Sequence, residues 1–507
     1  MRRRPFCLAL AVIAFSLTAG LSATFVVAQE AEPTAAAATP EPVNVSTQHS
    51  IQTIDGRINY TAMAAEYYLR DEKDKPVASF FAISYTRNGV DDPGQRPITF
   101  VFNGGPGSAS IWLHFGLVGP QVIDIPSDAA DAGAPPYNLR DNAHTILRAT
   151  DLVFVDPVGT GFSRALGEKE NADYWGIDED ADSVTEFIRL FITRHNRWRS
   201  PKYIIGESYG TIRAAAMVPR LARYNIAFNG IILVSAAMNM GTLPFVVTGH
   251  DLPFVTHLPA YTVAALYHQA LPEMPENVDA FLEEARAFAG GPYLAALFKG
   301  DGLSEAERLE IAQGLHRFTG IDVEYILRSN LRVNVFRFRK ELLRERGKII
   351  GLLDSRYLGT DPDDAGEFPS HDPTSAQTAG PYVANFQSYL KDQLGIDLER
   401  RYLPISRAAN RAWKRTSGNQ SVFAGFEDVT PNLERAAATN ADMRFFIASG
   451  IHDLTTSFFA SEYMMDHSGI DAGRITLKNY FGGHMMYHYR PSFEQMSNDL
   501  VAFINDR

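Results

Sequence analysis

The sequence predicts an α/β fold: a mostly parallel, doubly wound sheet carrying a helical cap insertion. Three observations predict it. Short apolar runs, Ile98 to Phe102, Leu152 to Val155, Tyr203 to Ile205, Ile231 to Val234 and Arg444 to Ala448, each lead into a loop containing Gly or Asp, as strands buried on both faces do. Amphipathic helices lie between several of these runs. The clearest places Val184, Phe187, Ile188, Phe191 and Ile192 on one face and gathers Asp178, Glu179, Asp180 and Asp182 at its start, where the helix dipole favours acids. Between about Gly241 and Pro381 the strand rhythm gives way to helix signals, among them a capping box at Ser304 and Glu307 ahead of Leu309, Ala312 and Leu315.

Size and composition agree. The 507 residues, 45% hydrophobic and 21% charged, exceed what a single core of about 100–200 residues accounts for, which implies two domains or one large domain with an insertion. Lys and Arg number 47 against 59 Asp and Glu, a formal net charge of −12. Such a field repels phosphate backbones and argues against a nucleic-acid partner.

Arg2, Arg3 and Arg4 precede an apolar run from Phe6 through Val27 that ends at Ala28, which reads as a cleaved export signal over residues 1–28. A retained membrane anchor is the alternative, and Arg3, Arg4 and Phe6 also resemble a twin-arginine signal. The only cysteine, Cys7, lies within this segment, so a cleaved product has no disulfide, no thiol nucleophile and no Cys-based zinc site. Export without cysteine suggests a bacterial periplasmic or extracellular protein with no stable membrane association. Residues 29–48, rich in Ala, Pro, Glu and Thr, read as a disordered tether. The alternation from Ile51 to about Tyr85 reads as antiparallel hairpins. The sheet domain then occupies residues 49–240 and 382–507, split by the cap at 241–381. A basic run in the cap, Arg328, Arg332, Arg337, Arg339, Lys340, Arg344, Arg346 and Lys348, is either a solvated helix face or a patch that steers acidic substrates.

Gly206, Glu207, Ser208, Tyr209 and Gly210 form G-x-S-x-G, a weak signal alone. Here the apolar run Tyr203 to Ile205 precedes it and an Ala-rich helical pattern follows, which puts Ser208 on a strand-to-helix turn with helix amides beside it. A serine nucleophile needs a base, and the base needs an orienting carboxylate. Asp453 follows the run Arg444 to Ala448, and His484 follows Ile475 to Tyr480 and two glycines. The order Ser208, Asp453, His484 is that of the α/β-hydrolase fold. His452, His467 and His488 compete for the role of base. His484 and His488 are spaced like a metal pair, but no acidic ligand motif accompanies them, so no metal and no cofactor is expected. The loop from Asn103 to Ser108 lacks the Lys of a phosphate loop and the third glycine of a dinucleotide fingerprint. Its backbone amides suit an oxyanion, with a plain structural turn as the alternative.

Together, NGGPGS at 103–108, DPVGTGFS at 156–163, GESYG at 206–210, SGIHDLTT at 449–456 and GGHM at 482–485 resemble the serine carboxypeptidase family, peptidase family S10, in its bacterial branch. The resemblance implies removal of C-terminal amino acids from peptides bearing a free carboxylate, favoured at acidic pH, through an acyl-enzyme. It implies Ser208, Asp453 and His484 as triad, the amides of Gly105 and Tyr209 as oxyanion donors, and Asn103, Gly104 and Glu207 as the carboxylate-binding groups. The family often has a Trp two residues before the Asn; Val101 stands here, which puts the shape of the terminal-residue pocket in question. An acid at Glu207 would repel a substrate carboxylate unless one of the two is protonated. An esterase or acyltransferase on the same scaffold, and a non-catalytic binding protein, are the competing readings.

Overall fold

The computed structural model describes residues 41–244, 248–418 and 425–506. The export segment, Cys7 and most of the tether lie outside them. Nine strands cross one sheet: β1 (Asn44–Thr53), β2 (Gly56–Arg70), β3 (Pro76–Arg87), β4 (Ile98–Phe102), β5 (Asp151–Val155), β6 (Lys202–Glu207), β7 (Gly230–Val234), β8 (Arg444–Gly450) and β9 (Ile475–Tyr480). Their spatial order is β1-β2-β3-β5-β4-β6-β7-β8-β9, and a two-residue strand, Arg164–Ala165, pairs with β3. The hairpins β1-β2-β3 and the β3-β5 pair are antiparallel. From β5 to β9 every pairing is parallel.

The period-2 alternation explains how one sheet supports two layers of core. On β4, Phe100 and Phe102 face one layer and Val101 the other; on β7, Ile231 and Leu233 oppose Ile232 and Val234. The first layer is closed by α1 (Ile177–Arg194), which buries the five apolar residues of its predicted face, and by α2 (Tyr209–Arg223). The acids at the start of α1 do more than meet a dipole. Arg220 of α2 pairs with Asp178 at 2.7 Å and also with Asp182, and Arg213 pairs with the buried Asp180.

Residues 44–48, assigned by composition to the tether, instead begin β1, in register with β2 from Asn44 opposite Ala65 onward. The first half of β1 buries almost no apolar surface, so hydrogen bonding to β2, which composition does not report, defines it.

Within 241–381 the structure holds α3 (Leu252–Tyr267) and further helices, including Val278–Phe288 and Glu305–Thr319, the latter opened by the reciprocal Ser304–Glu307 capping box. Phe254, Leu258, Phe281, Leu315 and Phe338 form a separate core there, joined by Leu454 and Phe458 from beyond β8. Residue 381 falls inside a continuous helix, α4 (Pro373–Asp392), whose Tyr382, Phe386 and Tyr389 pack into the second layer of the sheet. That layer is completed by α5 (Arg490–Asn505), with Phe493, Met496 and Leu500 turned inward.

The cap's basic run forms no open patch. Arg328 pairs with Glu324, Arg332 with Asp251, Arg337 with Glu367 and Arg344 with Glu341. Lys340 is buried against Asp361 at 3.1 Å, and the buried Arg339 donates to the Ile350 carbonyl at 3.0 Å. Arg346 donates to the carbonyls of His268 and Gln269, and Lys348 to Thr360. These cations hold the cap's own loops. Among the described residues no helix is long and apolar enough to cross a membrane.

Candidate active site

Ser208 joins the end of β6 to the start of α2 with φ 60° and ψ −126°, a conformation rare for a residue with a side chain. The strain sits on the serine itself, not on its neighbouring glycines. Gly206 and Gly210 are required for another reason: a Cβ at Gly206 would strike the Gly210 carbonyl, and one at Gly210 would crowd the carbonyls of Phe102 and Asn103. The glycines let strand, helix and the Asn103 loop approach backbone to backbone. Gly104 is equally confined, because its Cβ would overlap the amide nitrogen of Tyr209 and the carbonyl of Glu207. The loop bearing Gly105 therefore lies directly on the N-terminal turn of α2, where amide dipoles favour developing negative charge.

His484 and Asp453 arrive from the loops after β9 and β8. His484 Nδ1 and Asp453 Oδ2 are 2.7 Å apart, with the aspartate fully buried. Asp453 Oδ1 accepts the amides of Thr455 (2.7 Å) and Thr456 (3.0 Å), and Oδ2 also accepts the Thr456 hydroxyl (2.5 Å). Burial pulls the His484 pKa down, but the Asp453 charge and hydrogen bond outweigh it, so the imidazole lies above its ordinary value. Ser208, His484, Asn103, Gly104, Gly105 and Glu207 line one cavity of about 220 Å³.

The cap contributes a clamp that no sequence motif announced. The Leu352 carbonyl accepts the Leu454 amide (3.1 Å) and the Leu353 carbonyl accepts that of His484 (2.5 Å). Asp354 Oδ2 accepts the Gly483 amide (3.0 Å), and the Ser355 amide donates to the His452 carbonyl (2.9 Å). One strip, 352–355, thus ties the Asp453 loop to the His484 loop, with Asp354 neutralised by the buried Arg356 at 2.6 Å. Gly483 is a glycine because a Cβ there would strike Leu353 and Asp354.

Glu207 is buried beside the serine. Asn103 Nδ2 donates to its Oε1 at 2.9 Å and the Tyr487 hydroxyl to its Oε2 at 2.7 Å. Burial pushes this carboxyl up to about 7, against the pull of His484 and of both hydrogen bonds. Asn103 is itself fixed: its Oδ1 accepts the Leu113 amide, and its carbonyl accepts Arg213 Nη1 at 2.7 Å. Arg213 is fully buried and also donates to Asp180 at 2.7 Å, locking α1, α2 and the loop together. Its sequence signal was an arginine five residues after the serine, on an Ala-rich helix face; Tyr487, Asp354 and Arg356 gave none. Arg213→Met leaves Asp180 buried without its partner and is expected to lower unfolding stability by about 3–5 kcal/mol in urea titration. A loss below about 1 kcal/mol would contradict this account of the lock.

The competing histidines are engaged elsewhere. His452 Nδ1 meets the Ser355 hydroxyl at 3.0 Å, His488 Nε2 meets the Tyr382 hydroxyl at 2.9 Å, and His467 Nδ1 meets the Tyr463 carbonyl at 2.8 Å. None of the three lines the Ser208 cavity. Among the described residues no group of His, Cys, Asp and Glu is arranged to hold a metal ion. Val101 is buried in the core, and the tryptophan at the cavity is Trp112 instead.

A family model described as serine carboxypeptidase matches residues 59–248, a stretch that contains the Asn103 loop and Ser208 but ends before Asp453 and His484. The chain is 28% identical over 187 residues to pheromone-processing carboxypeptidase KEX1 of Saccharomyces cerevisiae, covering 36% of this chain and 23% of that protein. It is 30% identical over 164 residues to carboxypeptidase Y of Schizosaccharomyces pombe, covering 31% and 14%, and 23% identical over 186 residues to serine carboxypeptidase ctsa-3.2 of Caenorhabditis elegans, covering 34% and 31%. The chain thus matches less than a third of the length of these relatives. The crystal structure of KEX1(Δ)p, a prohormone-processing carboxypeptidase from Saccharomyces cerevisiae, superimposes with a TM-score of 0.57 at 14% identity over 88% of this chain and 91% of that one. The fold is the α/β-hydrolase fold anticipated from the order of Ser208, Asp453 and His484.

Proposed function

We propose that this protein is a serine carboxypeptidase that removes C-terminal residues from peptides. Ser208 attacks the scissile carbonyl, His484 takes the hydroxyl proton and later returns it to the leaving amine, and Asp453 holds the imidazole in the required tautomer. The amides of Gly105 and Tyr209 receive the oxyanion. The observation that carries this reading is the cavity in which Ser208 and the Asp453-bound His484 share a wall with Asn103, Gly104 and the buried Glu207, which we read as the carboxylate-binding set. An acyl-transfer site that also grips a carboxylate selects chain ends. A fluorophosphonate probe tests the nucleophile: tryptic mass spectrometry is expected to find the adduct on Ser208, and an unlabelled Ser208 in folded protein would overturn the assignment.

The acid preference follows from Glu207. Below about 7 its carboxyl keeps a proton and donates to a substrate carboxylate; above that the two anions oppose each other. The KM for free-acid peptides is therefore expected to rise as pH increases through about 7, while protonation of His484 limits kcat on the acid side. Glu207→Gln is expected to flatten that rise in KM. Initial rates measured from about pH 5 to about pH 8 check it. A variant that keeps the parent's dependence would remove Glu207 from the explanation.

We further propose an exported enzyme of the bacterial branch, periplasmic or extracellular, on the strength of Arg2 to Arg4 and the apolar run after them.

A further inference from the structure

A terminal residue held by its carboxylate at Asn103 and Glu207, with its scissile carbonyl at Ser208, has its side chain in the same 220 Å³ cavity. Carbon dominates what that cavity offers: Trp112 from the helix after the Asn103 loop, Leu353 from the clamp, Ala379 from α4, Ile405, and Met485 beside the base. Polar residues also line it, and most of their protons are donated within the protein. Trp112 Nε1 donates to the Ser108 hydroxyl at 2.8 Å. On α4 the Ser375 hydroxyl donates to Asp372 at 2.9 Å and that of Thr378 to the Thr374 carbonyl at 2.8 Å. Asn410 Nδ2 donates to the Pro106 carbonyl at 3.1 Å.

Among the described residues, this lining offers no uncommitted charge to a terminal Lys, Arg, Asp or Glu. Glu207 and His484 are, among the described residues, its only ionisable groups. In the proposed reading Glu207 is committed to the terminal carboxylate, and His484 is held by Asp453. Two further carboxylates stand behind the wall. Asp372 accepts the Leu352 amide and both the amide and hydroxyl of Ser375, and Asp354 is closed by Arg356 and Gly483. A charged side chain entering here would lose hydration with no opposite charge to replace it.

We propose that this cavity restricts the enzyme to peptides whose C-terminal residue is uncharged and apolar, with the α4 wall at Ala379 and the Trp112–Met485 surface as the specificity-determining contacts. This rests on the carboxypeptidase reading and sharpens its substrate class.

The test uses N-acylated dipeptides that differ only in the last residue, Leu, Met, Phe, Lys or Glu, with the purified wild-type protein. The expected kcat/KM for Leu, Met and Phe exceeds that for Lys and Glu by about 100-fold, as unpaired burial of a charge demands. Release of Lys or Glu at a rate equal to Leu would overturn the specificity while leaving the carboxypeptidase reading intact. Release of no residue from any of them by protein whose Ser208 reacts with a fluorophosphonate would overturn that reading and the specificity with it. Ala379→Asp supplies the missing counter-charge and is expected to improve Lys relative to Leu by at least about tenfold. An unchanged ratio in folded variant would remove α4 from the specificity wall.

Discussion

Ser208→Ala is expected to fold as the parent does and to lose between about 10⁴- and about 10⁶-fold in kcat on peptide substrates. Folding survives because the elbow is held by backbone: the Ser208 amide donates to the Val234 carbonyl at 2.9 Å, and the Ser208 carbonyl accepts the Thr211 amide and hydroxyl. Alanine meets the same positive φ that serine tolerates, so no new strain enters. What disappears is the hydroxyl of the proposed nucleophile, which lines the same cavity as His484. Circular dichroism together with steady-state rates checks both halves, and a purified variant with parental turnover would end the assignment of the nucleophile.

Asp453→Asn is expected to cost about 10⁴-fold in kcat with the fold intact. The hydrogen bonds around this carboxylate dictate how the amide must lie. Two backbone amides, from Thr455 and Thr456, point at Oδ1, so the asparagine oxygen takes that side. Its NH₂ then faces His484 Nδ1 and the Thr456 hydroxyl, both of which now need to be acceptors. The imidazole is forced to carry its proton on Nε2, where it cannot take one from a serine. A loss smaller than about tenfold would contradict the proposed tautomer control.

The sequence made the scaffold legible where physics leaves periodic marks. Runs such as Ile98 to Phe102 and Ile231 to Val234 are apolar without alternation because both sheet faces are covered, and the structure places them at β4 and β7. The serine elbow was legible because the close approaches there favour glycine, strictly at 206, where a Cβ would strike the Gly210 carbonyl, and less strictly at 210. Interactions between side chain and distant backbone left no such mark. Asp354 and Ser355 belong to an unremarkable polar turn in the sequence, yet their strip fastens both the Asp453 loop and the His484 loop. The basic run from Arg328 to Lys348 offered a choice between a solvated face and a steering patch; the structure leaves Arg328 and Arg346 exposed, buries Arg339 and Lys340, and gives each cation a partner within the cap. The first residues of β1 were hidden for the opposite reason, since a strand held by its hydrogen-bond ladder needs little apolar surface.

The most direct test of the central claim compares one peptide in two forms, with a free C-terminal carboxylate and with a C-terminal amide, incubated with wild-type protein at mildly acidic pH and read by mass spectrometry. A site that joins the Ser208 nucleophile to the Asn103–Glu207 grip predicts successive loss of single residues from the free-acid end and none from the amide. Equal cleavage of both forms, or shortening from the amino end, would contradict it.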